Sequence, residues 1–530
     1  MSAALDVVFR ADASNAIGVG HVSRCLTLAR TLVERGIRST FVCRRHSGHL
    51  AEQIDRAGMR AELLPASGRD DPERGPEDYS RWLGVSQAED AAQTVAALRG
   101  RAVDWVVCDH YALDAVWERS LRPCARQLMA IDDLPDRDHE CDVLLDQNFR
   151  RGGAAAARER APAGCTRLLG PRYALLAPEY ARHRQEPGHH QCGRRQGAVR
   201  RVLVSFGGSD TAGMTARALA ALSRPALADL QVDLVVGANN THRPQLEAQA
   251  AARPGTTLYS DLPHLADLLA AADLAIGAGG TTTWERMCLG VPSLVVSAAE
   301  NQRPGAEALA AAGLIRYLGT PVEAGVEQLA AAIEAAISDP AALEAQSLRC
   351  ELEVDGLGAW RVAEWMYPTG ADGLLLREAT LSDAALYFNW ANDPEVRRQS
   401  LRSAAIDWTG HQQWFRSKIG SRLNRLFVMQ AGSLPVGQIR FDLCDGEARI
   451  GFSLDADFRG RGWGRRLVTL GVKQMAEAAG VVFRAEVKRS NPASASVFAR
   501  LGFREAPAEG GPDLAVYRFD PAVDTLATCA

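Results

Sequence analysis

The sequence predicts an α/β chain of two parallel-sheet units in tandem, followed by a third, smaller unit. Apolar runs of strand length alternate with segments of helical periodicity over the greater part of the 530 residues. Most of those runs end in Asp, Asn, His or Tyr, which gathers polar groups at one edge of a parallel sheet. Glycines mark a strand-to-helix turn in every unit.

The first unit opens on Val7-Val8-Phe9, a short buried strand. A polar loop follows, with Gly18-Val19-Gly20-His21, and then Val22, Cys25, Leu26, Leu28, Ala29, Leu32 and Val33 at helical spacing. A histidine therefore sits where a strand hands over to a helix. There it can take a proton from water near neutral pH. A tight turn with an incidental histidine fits the same spacing. Ser39–Cys43, Trp105–Cys108, Leu128–Ile131 and Val143–Leu145 read as further strands. The last three end in Asp109-His110-Tyr111, Asp132-Asp133 and Asp146-Gln147-Asn148. One such cluster is explained by capping, whereas three on one edge point to a site. Residues 184–199 break the pattern and read as an exposed linker, with His189, His190 and Cys192 solvated rather than holding metal.

The second unit begins with the strand Val202–Phe206 and the turn Gly207-Gly208-Ser209-Asp210. Val232–Val236 and Asp273–Ile276 are later strands, and the second leads into Gly277-Ala278-Gly279-Gly280-Thr281-Thr282-Thr283-Trp284-Glu285. Glycines followed by threonines at a helix start offer N–H and hydroxyl groups to phosphate oxygens. Glu285, one turn on, can accept from the hydroxyls of a ribose. Helix capping with a surface glutamate is the plainer alternative. Ser293–Val296 ends in Ala299-Glu300-Asn301-Gln302 at the same edge, and a helix over Gly358–Met366 closes the unit.

From about residue 373 a third unit carries the strand Gly451–Leu454 and then Asp457 to Arg466, rich in glycine and arginine, before an apolar helix. Such a turn makes a pyrophosphate cradle from successive amides. No acidic ribose partner follows at dinucleotide spacing, which argues against a dinucleotide site.

Composition narrows the function. The formal net charge of −4 gives no reason to expect nucleic acid or an anionic membrane as partner. Lys418, Lys473 and Lys488 are the only lysines, so the first two units can hold neither a Walker lysine nor a Schiff-base lysine. The 11 cysteines show no C-x-x-C, which fits a reducing cytoplasm and no structural zinc. No apolar stretch is long enough to span a bilayer and no leader pattern opens the chain, so a soluble, cytoplasmic protein is expected.

The motifs RADASNAIGVGHVSRCLTLA, DHYALD, IDDLPDR, SFGGSD and GAGGTTTWER followed by ENQ run in order through the first 366 residues or so. In them the chain resembles the PseG family, hydrolases that release UDP from UDP-2,4-diacetamido-2,4,6-trideoxy-β-L-altropyranose in pseudaminic acid biosynthesis. The resemblance implies a GT-B fold, two Rossmann-like domains as in MurG. It also implies His21 as the base that activates water for inverting attack at the anomeric carbon, with Tyr111 and Asn301 orienting sugar or water. UDP-sugar contacts are implied at Asp12, Gly18, Gly20, Gly208, Ser209, Gly279, Gly280, Thr281, Thr282, Glu285 and Gln302, with no metal.

Residues 373–520 resemble the α+β GNAT acetyltransferases through Arg459 to Gly464, Asn491 and Leu501-Gly502-Phe503. That resemblance implies acetyl-CoA as co-substrate, held by Phe458, Arg459, Gly460, Arg461, Gly462, Trp463, Gly464, Arg465 and Asn491. Trp390–Arg397 and His411–Phe415 resemble the PseH subgroup, which acetylates the 4-amino group of the precursor UDP-sugar. Phe498 stands where many GNATs place the tyrosine that protonates the leaving thiolate, which leaves water, Ser496 or Tyr517. His411 and Glu395 are candidates to take the amine's proton. The expected domains are 1–183, a linker over 184–199, 200–366 and 373–520. Two other functions fit the same motifs: a UDP-sugar glycosyltransferase, and a sugar-nucleotide sensor fused to a protein N-acetyltransferase.

Overall fold

The computed structural model describes residues 5–66, 79–134, 136–150, 161–186, 198–207, 210, 212–237, 240–260, 262–506 and 512–527. The chain forms two compact units, Met1–Ala363 and Glu364–Ala530.

The first unit holds two sheets. The N-terminal one comprises β1 (Asp6–Ala11), β2 (Arg38–Arg44), β3 (Arg60–Leu64), β4 (Val103–Asp109), β5 (Ala125–Ile131), β6 (Val143–Asp146) and β7 (Thr166–Leu169). All pairings are parallel, in the order β3-β2-β1-β4-β5-β6-β7. Both faces of such a sheet are covered, so its strands are apolar throughout rather than alternating; all six residues of β1 are buried. Arg10 lies within that strand, and its guanidinium is held by Asp12 and Asp90, each at 2.6 Å. Chain order reverses between β1 and β4, which makes their carboxyl ends the switch point of the sheet.

The second sheet comprises β8 (Arg201–Ser205), β9 (Gln231–Val236), β10 (Thr256–Ser260), β11 (Leu274–Ala278), β12 (Ser293–Val296) and β13 (Arg316–Tyr317). It is again parallel, in the order β10-β9-β8-β11-β12-β13, with its own switch point between β8 and β11. Two tandem sheets of this kind are the GT-B architecture.

The passage between the sheets differs from the sequence expectation. Ala174, Leu176 and Tyr180 are buried with Leu203, Trp284, Met287 and Cys288, in the core of the second sheet. A helix over Pro178–Gln185 carries Arg184, expected at the start of an exposed linker. Instead its guanidinium is buried and donates to the carbonyls of Cys288, Glu351 and Val354 at 2.6, 3.0 and 3.2 Å. Carbonyls left over at helix ends draw it inward. The rest of that stretch, 187–197 with His189, His190 and Cys192, lies outside the described residues.

The second unit is one mixed sheet of β14 (Leu374–Glu378), β15 (Asn424–Ala431), β16 (Leu434–Cys444), β17 (Glu447–Leu454), β18 (Val482–Lys488), β19 (Arg504–Glu505) and β20 (Leu514–Phe519). Its order is β14-β15-β16-β17-β18-β20-β19. Every pairing is antiparallel except β17 with β18, which are parallel and pair only from Glu447 with Val482 to Ile450 with Ala485. Beyond that point the two strands part.

Candidate active sites

The helix Gly20–Glu34 starts directly after the loop that follows β1, which brings His21 to the β1/β4 switch point. Gly18 takes φ +83°, in the left-handed region that a side chain disfavours, and so lets the loop turn into the helix. His21 Nδ1 lies 2.6 Å from Asp109 Oδ1 at the end of β4. Arg24, one turn along the helix, spans the same carboxylate with Nε to Oδ2 at 2.6 Å and Nη2 to Oδ1 at 2.7 Å. Burial alone would raise the Asp109 carboxyl, but Arg24 and His21 outweigh it and hold it well below the usual carboxylate range. An ionised carboxylate only accepts, so the His21 proton sits on Nδ1 and the Nε2 lone pair is left to take another.

Tyr111 follows Asp109 by two residues. Its ring meets His21 edge-on at 4.5 Å, and its hydroxyl donates to Asp133 Oδ2 at 3.1 Å. Burial, then Asp133, raises the Tyr111 phenol well above its ordinary value, so it stays protonated. Asp133 is also paired with Arg24 Nη1. His21, Tyr111, Asp109, Arg24 and Asp133 thus form one network built from the ends of β1, β4 and β5. Asp109 and Asp133 belong to the strand-end clusters that pointed to a site in the sequence, without a role for either; Arg24 was not among the sequence candidates.

Asp12 requires a correction. Expected against substrate, it is fully buried beneath the site. Its carboxylate takes Arg10 Nη1 and Nη2 at 2.6 and 2.9 Å and the Arg44 amide at 2.6 Å, with His110 and His46 beyond at 3.4 and 3.7 Å. Burial would raise it, yet Arg10 and the histidines keep it well below its ordinary value. It ties β1 to β2 rather than facing a ligand.

In the second sheet, Gly279 and Gly280 follow β11, and the helix Thr282–Cys288 carries Glu285. A Cβ on Gly279 would lie 3.4 Å from Gln302 Cβ, and one on Gly280 3.6 Å from Gln302 Nε2, so the Gln302 side chain rests on this loop. Gln302 Oε1 accepts from the Ala298 amide at 3.0 Å. Thr281 and Asn301 are exposed and Thr282 is half-buried. Thr283 is buried and takes Arg286 Nη2 at 2.9 Å, so it is spent within the fold. Burial pushes the Glu285 carboxyl up to about 7, against the Tyr180 hydroxyl and Arg286. Its Oε2 is shut off from solvent with no hydrogen-bond partner among the described residues. Such an orphaned acceptor awaits a donor. Gly208 and Ser209 lie outside the described residues.

In the second unit, the loop after β17 leads to the helix Trp463–Ala479. Gly460 and Gly462 have φ +80° and +77°, and a Cβ on either would meet nothing within 4 Å. The glycines are needed for the backbone turn, and the space over them is open. Arg461 Nη1 is buried without a partner among the described residues. These features fit a pyrophosphate. Arg465 is half-buried.

Five of the residues expected at acetyl-CoA have partners within the domain. Phe458 and Trp463 are buried and stack on each other at 5.4 Å, with the Arg461 guanidinium over both rings at 5.3 and 5.5 Å. They shape the loop from beneath, as core. A Cβ on Gly464 would lie 3.4 Å from Val497, so this glycine permits close helix packing. Arg459 Nη2 is held by Asp393 Oδ1 at 2.7 Å and its Nε by the Leu454 carbonyl at 3.2 Å. Trp390 Nε1 donates to Asp455 Oδ2 at 2.9 Å. The Trp390–Arg397 segment is therefore a brace for the loop. Asn491 Oδ1 caps the helix Pro492–Arg500 by accepting from Ser494 N at 3.1 Å.

His411 is buried among Phe388, Trp408, Trp414 and Phe415, and Nε2 faces the Ala384 carbonyl at 2.9 Å. Burial lowers its imidazole below the ordinary value. A ring enclosed in this way does not reach a substrate amine. Glu395 is paired with Arg398 and Gln399. Phe498 stacks on Tyr517 at 5.9 Å.

Comparison with known proteins agrees with these folds. Residues 202–354 match the model described as glycosyltransferase family 28 C-terminal domain, and residues 373–504 match that of the acetyltransferase (GNAT) domain. The chain thus carries a domain similar to the C-terminal domain of glycosyltransferase family 28, followed by one similar to the GNAT acetyltransferases. Over 310 residues it is 20% identical to the UDP-2,4-diacetamido-2,4,6-trideoxy-beta-L-altropyranose hydrolase of Campylobacter jejuni, covering 58% of this chain and 97% of that protein. It is also 20% identical over 516 residues to the uncharacterized protein MJ1062 of Methanocaldococcus jannaschii, covering 93% and 96%. A shorter match, 31% over 158 residues, is to the spore coat polysaccharide biosynthesis protein SpsG of Bacillus subtilis, covering 29% of this chain and 45% of SpsG. Among solved structures, MurG of Acinetobacter baumannii superposes with TM-score 0.47 at 13% identity, over 68% of this chain and 99% of that one. Among the described residues, no helix is long and apolar enough to cross a membrane and no cluster of three or more His, Cys, Asp or Glu is arranged to hold a metal.

Proposed function

We propose that the first unit hydrolyses a UDP-linked 2,4-diacetamido-2,4,6-trideoxy sugar and that the GNAT domain makes its substrate by acetylating the 4-amino precursor, as steps of cytoplasmic pseudaminic acid biosynthesis. One observation carries the reading: His21, with Nδ1 fixed on Asp109 and Nε2 left to accept, stands at the switch point of the N-terminal sheet.

UDP lies on the second sheet in this reading. Glu285 accepts from the ribose hydroxyls, while the Gly279–Gly280 turn and the hydroxyls of Thr281 and Thr282 receive the diphosphate. Gln302 keeps the turn in place. The sugar lies by Gly18, Gly20 and Tyr111, with Asn301 reaching it from the other side. His21 Nε2 takes a proton from water as its oxygen bonds to the anomeric carbon. The bond from that carbon to the diphosphate oxygen breaks, and UDP leaves with the electron pair, so the configuration inverts. A positioned base of this kind supplies about 10²–10⁴-fold, and fixed dipoles on the departing diphosphate supply more. In the GNAT domain the neutral sugar amine attacks the thioester carbon of acetyl-CoA; the carbon–sulfur bond breaks, CoA leaves as thiolate, and the proton shed by the nitrogen passes through water to that sulfur, giving the amide and CoA thiol. Gly460, Arg461, Gly462 and Arg465 hold the pyrophosphate.

The test supplies the UDP-4-amino sugar with and without acetyl-CoA and follows CoA thiol and UDP together. CoA first, and UDP only when acetyl-CoA is present, is the expected outcome. Silence in both channels would overturn the reading. The match of residues 202–354 to a glycosyltransferase model favours a second reading, transfer to an alcohol. It predicts a glycoside in place of free reducing sugar.

A further inference from the structure

Beside His21 lies a group of aromatic rings that base catalysis does not require. A short 3₁₀ turn over Tyr79–Leu83 is anchored by Leu83, buried in the N-terminal core with Val106 and Trp117. That anchor holds Tyr79 and Trp82 against Tyr111. Trp82 stacks on Tyr111 at 5.7 Å with the planes 20° apart, and Tyr79 meets both edge-on, at 4.8 and 5.1 Å. Trp82 also lies edge-on to His21 at 6.3 Å. Tyr111 is fixed from behind by Asp133 and by the Arg137 guanidinium 5.3 Å over its ring. Trp82 and Tyr79 are only half-buried, so part of each ring stays open. Aromatic side chains of this kind, with an apolar face and a wet polar edge, are enriched where partners pack.

Resting on the hydrolase reading above, we propose that Trp82, supported by Tyr79 and Tyr111, receives a methyl-bearing face of the sugar and selects deoxy, N-acetylated pyranoses over hydroxylated ones. The chemistry follows from the surface. Aromatic faces pack against C–H and methyl groups, and binding sites for small ligands are lined in this way with few polar groups. A hydroxyl set against the rings loses its water and gains no partner. An apolar surface of this kind discriminates against an added hydroxyl by about 10²-fold at most. The position is also suited to the task, because a sugar resting on Trp82 has its reacting carbon near His21, which is edge-on to the same ring.

The test compares UDP release from UDP-2,4-diacetamido-2,4,6-trideoxyhexose and from UDP-N-acetylglucosamine by the full-length protein and its Trp82→Ala and Trp82→Phe variants, with thermal unfolding as the control for folding. The expected result is that Trp82→Ala shrinks the preference for the first substrate about tenfold, mainly through KM, and that Trp82→Phe retains most of it. Equal losses on both substrates, or no loss, would overturn the proposal. Saturation-transfer NMR on the first sugar nucleotide reads the contact without turnover. Methyl signals saturated by the wild type and weakened in Trp82→Ala support it, and equal or absent saturation overturns it. If the wild type releases no UDP, the hydrolase reading fails while the NMR result still decides the role of Trp82.

Discussion

His21 and Asp109 meet at 2.6 Å although 88 positions separate them in the chain. The contact closes across the gap between β1 and β4, where consecutive strands run to opposite sides of the sheet. Arg24 makes the carboxylate permanent, so the geometry fixes one histidine tautomer.

Replacing Asp109 by Asn therefore presents an amide to Nδ1 and frees the other tautomer. UDP release is expected to fall by about 10²–10⁴-fold in kcat, with KM little changed. The double variant Asp109→Asn, His21→Ala should be no slower than His21→Ala alone, because the two act as a unit. Steady-state kinetics on the three variants check both statements, and additive losses would refute them.

Glu285 gives a pH prediction. Its carboxyl is raised to about 7 in the folded chain, chiefly by burial, from an ordinary value of 4.5. Between those values the folded state binds more protons than the unfolded one, so this group makes stability fall as pH rises through the window. Glu285→Gln abolishes that dependence. Relative to wild type the variant should gain on the order of 1–3 kcal/mol in stability from pH 4.5 to 8, while losing UDP affinity. Thermal unfolding and calorimetric UDP titration at several pH values measure the two.

His139 gives the opposite sign. Burial would lower its imidazole, but Asp132 and Glu118, each 2.7 Å away on opposite nitrogens, raise it to about 9. A raised histidine stabilises fully below its ordinary value of 6.5 and loses the contribution as pH climbs through 9. The stability gap between wild type and His139→Gln should be widest below pH 6.5 and close above pH 9. A gap independent of pH would contradict the pairing.

Gly460→Ala tests the acetyl-CoA loop. At φ +80° an L residue costs about 1–2 kcal/mol locally, and the added Cβ meets nothing within 4 Å. The domain should still fold, with acetyl-CoA affinity reduced about tenfold or more as the loop shifts. Calorimetry against CoA reads the change, and unaltered affinity would remove the loop from the site.

His411→Gln should lower stability without moving the pH profile of acetyl transfer, because the ring is enclosed by four aromatic side chains. A displaced profile would return His411 to the reaction.

The buried strands were legible because their apolar runs are continuous: Val7–Phe9, Trp105–Cys108 and Leu128–Ile131 fall inside β1, β4 and β5. β3 and β7, with sequences RAELL and TRLL, were not, since short edge strands carry too much charge to stand out. The position of His21 at a strand-to-helix turn could be read from spacing. Its partner could not, because Asp109 is distant in sequence. Asp12, Phe458 and Trp463 were assigned outward by their place in a motif. A motif fixes position along the chain, whereas the direction of each side chain is decided by what packs around it.

The helix that carries Tyr180 and Arg184 precedes residues 187–197 yet is buried among side chains and carbonyls that come after them. Proteolysis within that stretch would leave a first fragment bearing an exposed tyrosine and an unpaired guanidinium, and a second with an open slot of matching shape. The two pieces would hold together as a nicked protein and reassemble from denaturant only when mixed. The halves of the unit are interlocked, and the shortest covalent path between them is not what keeps them together.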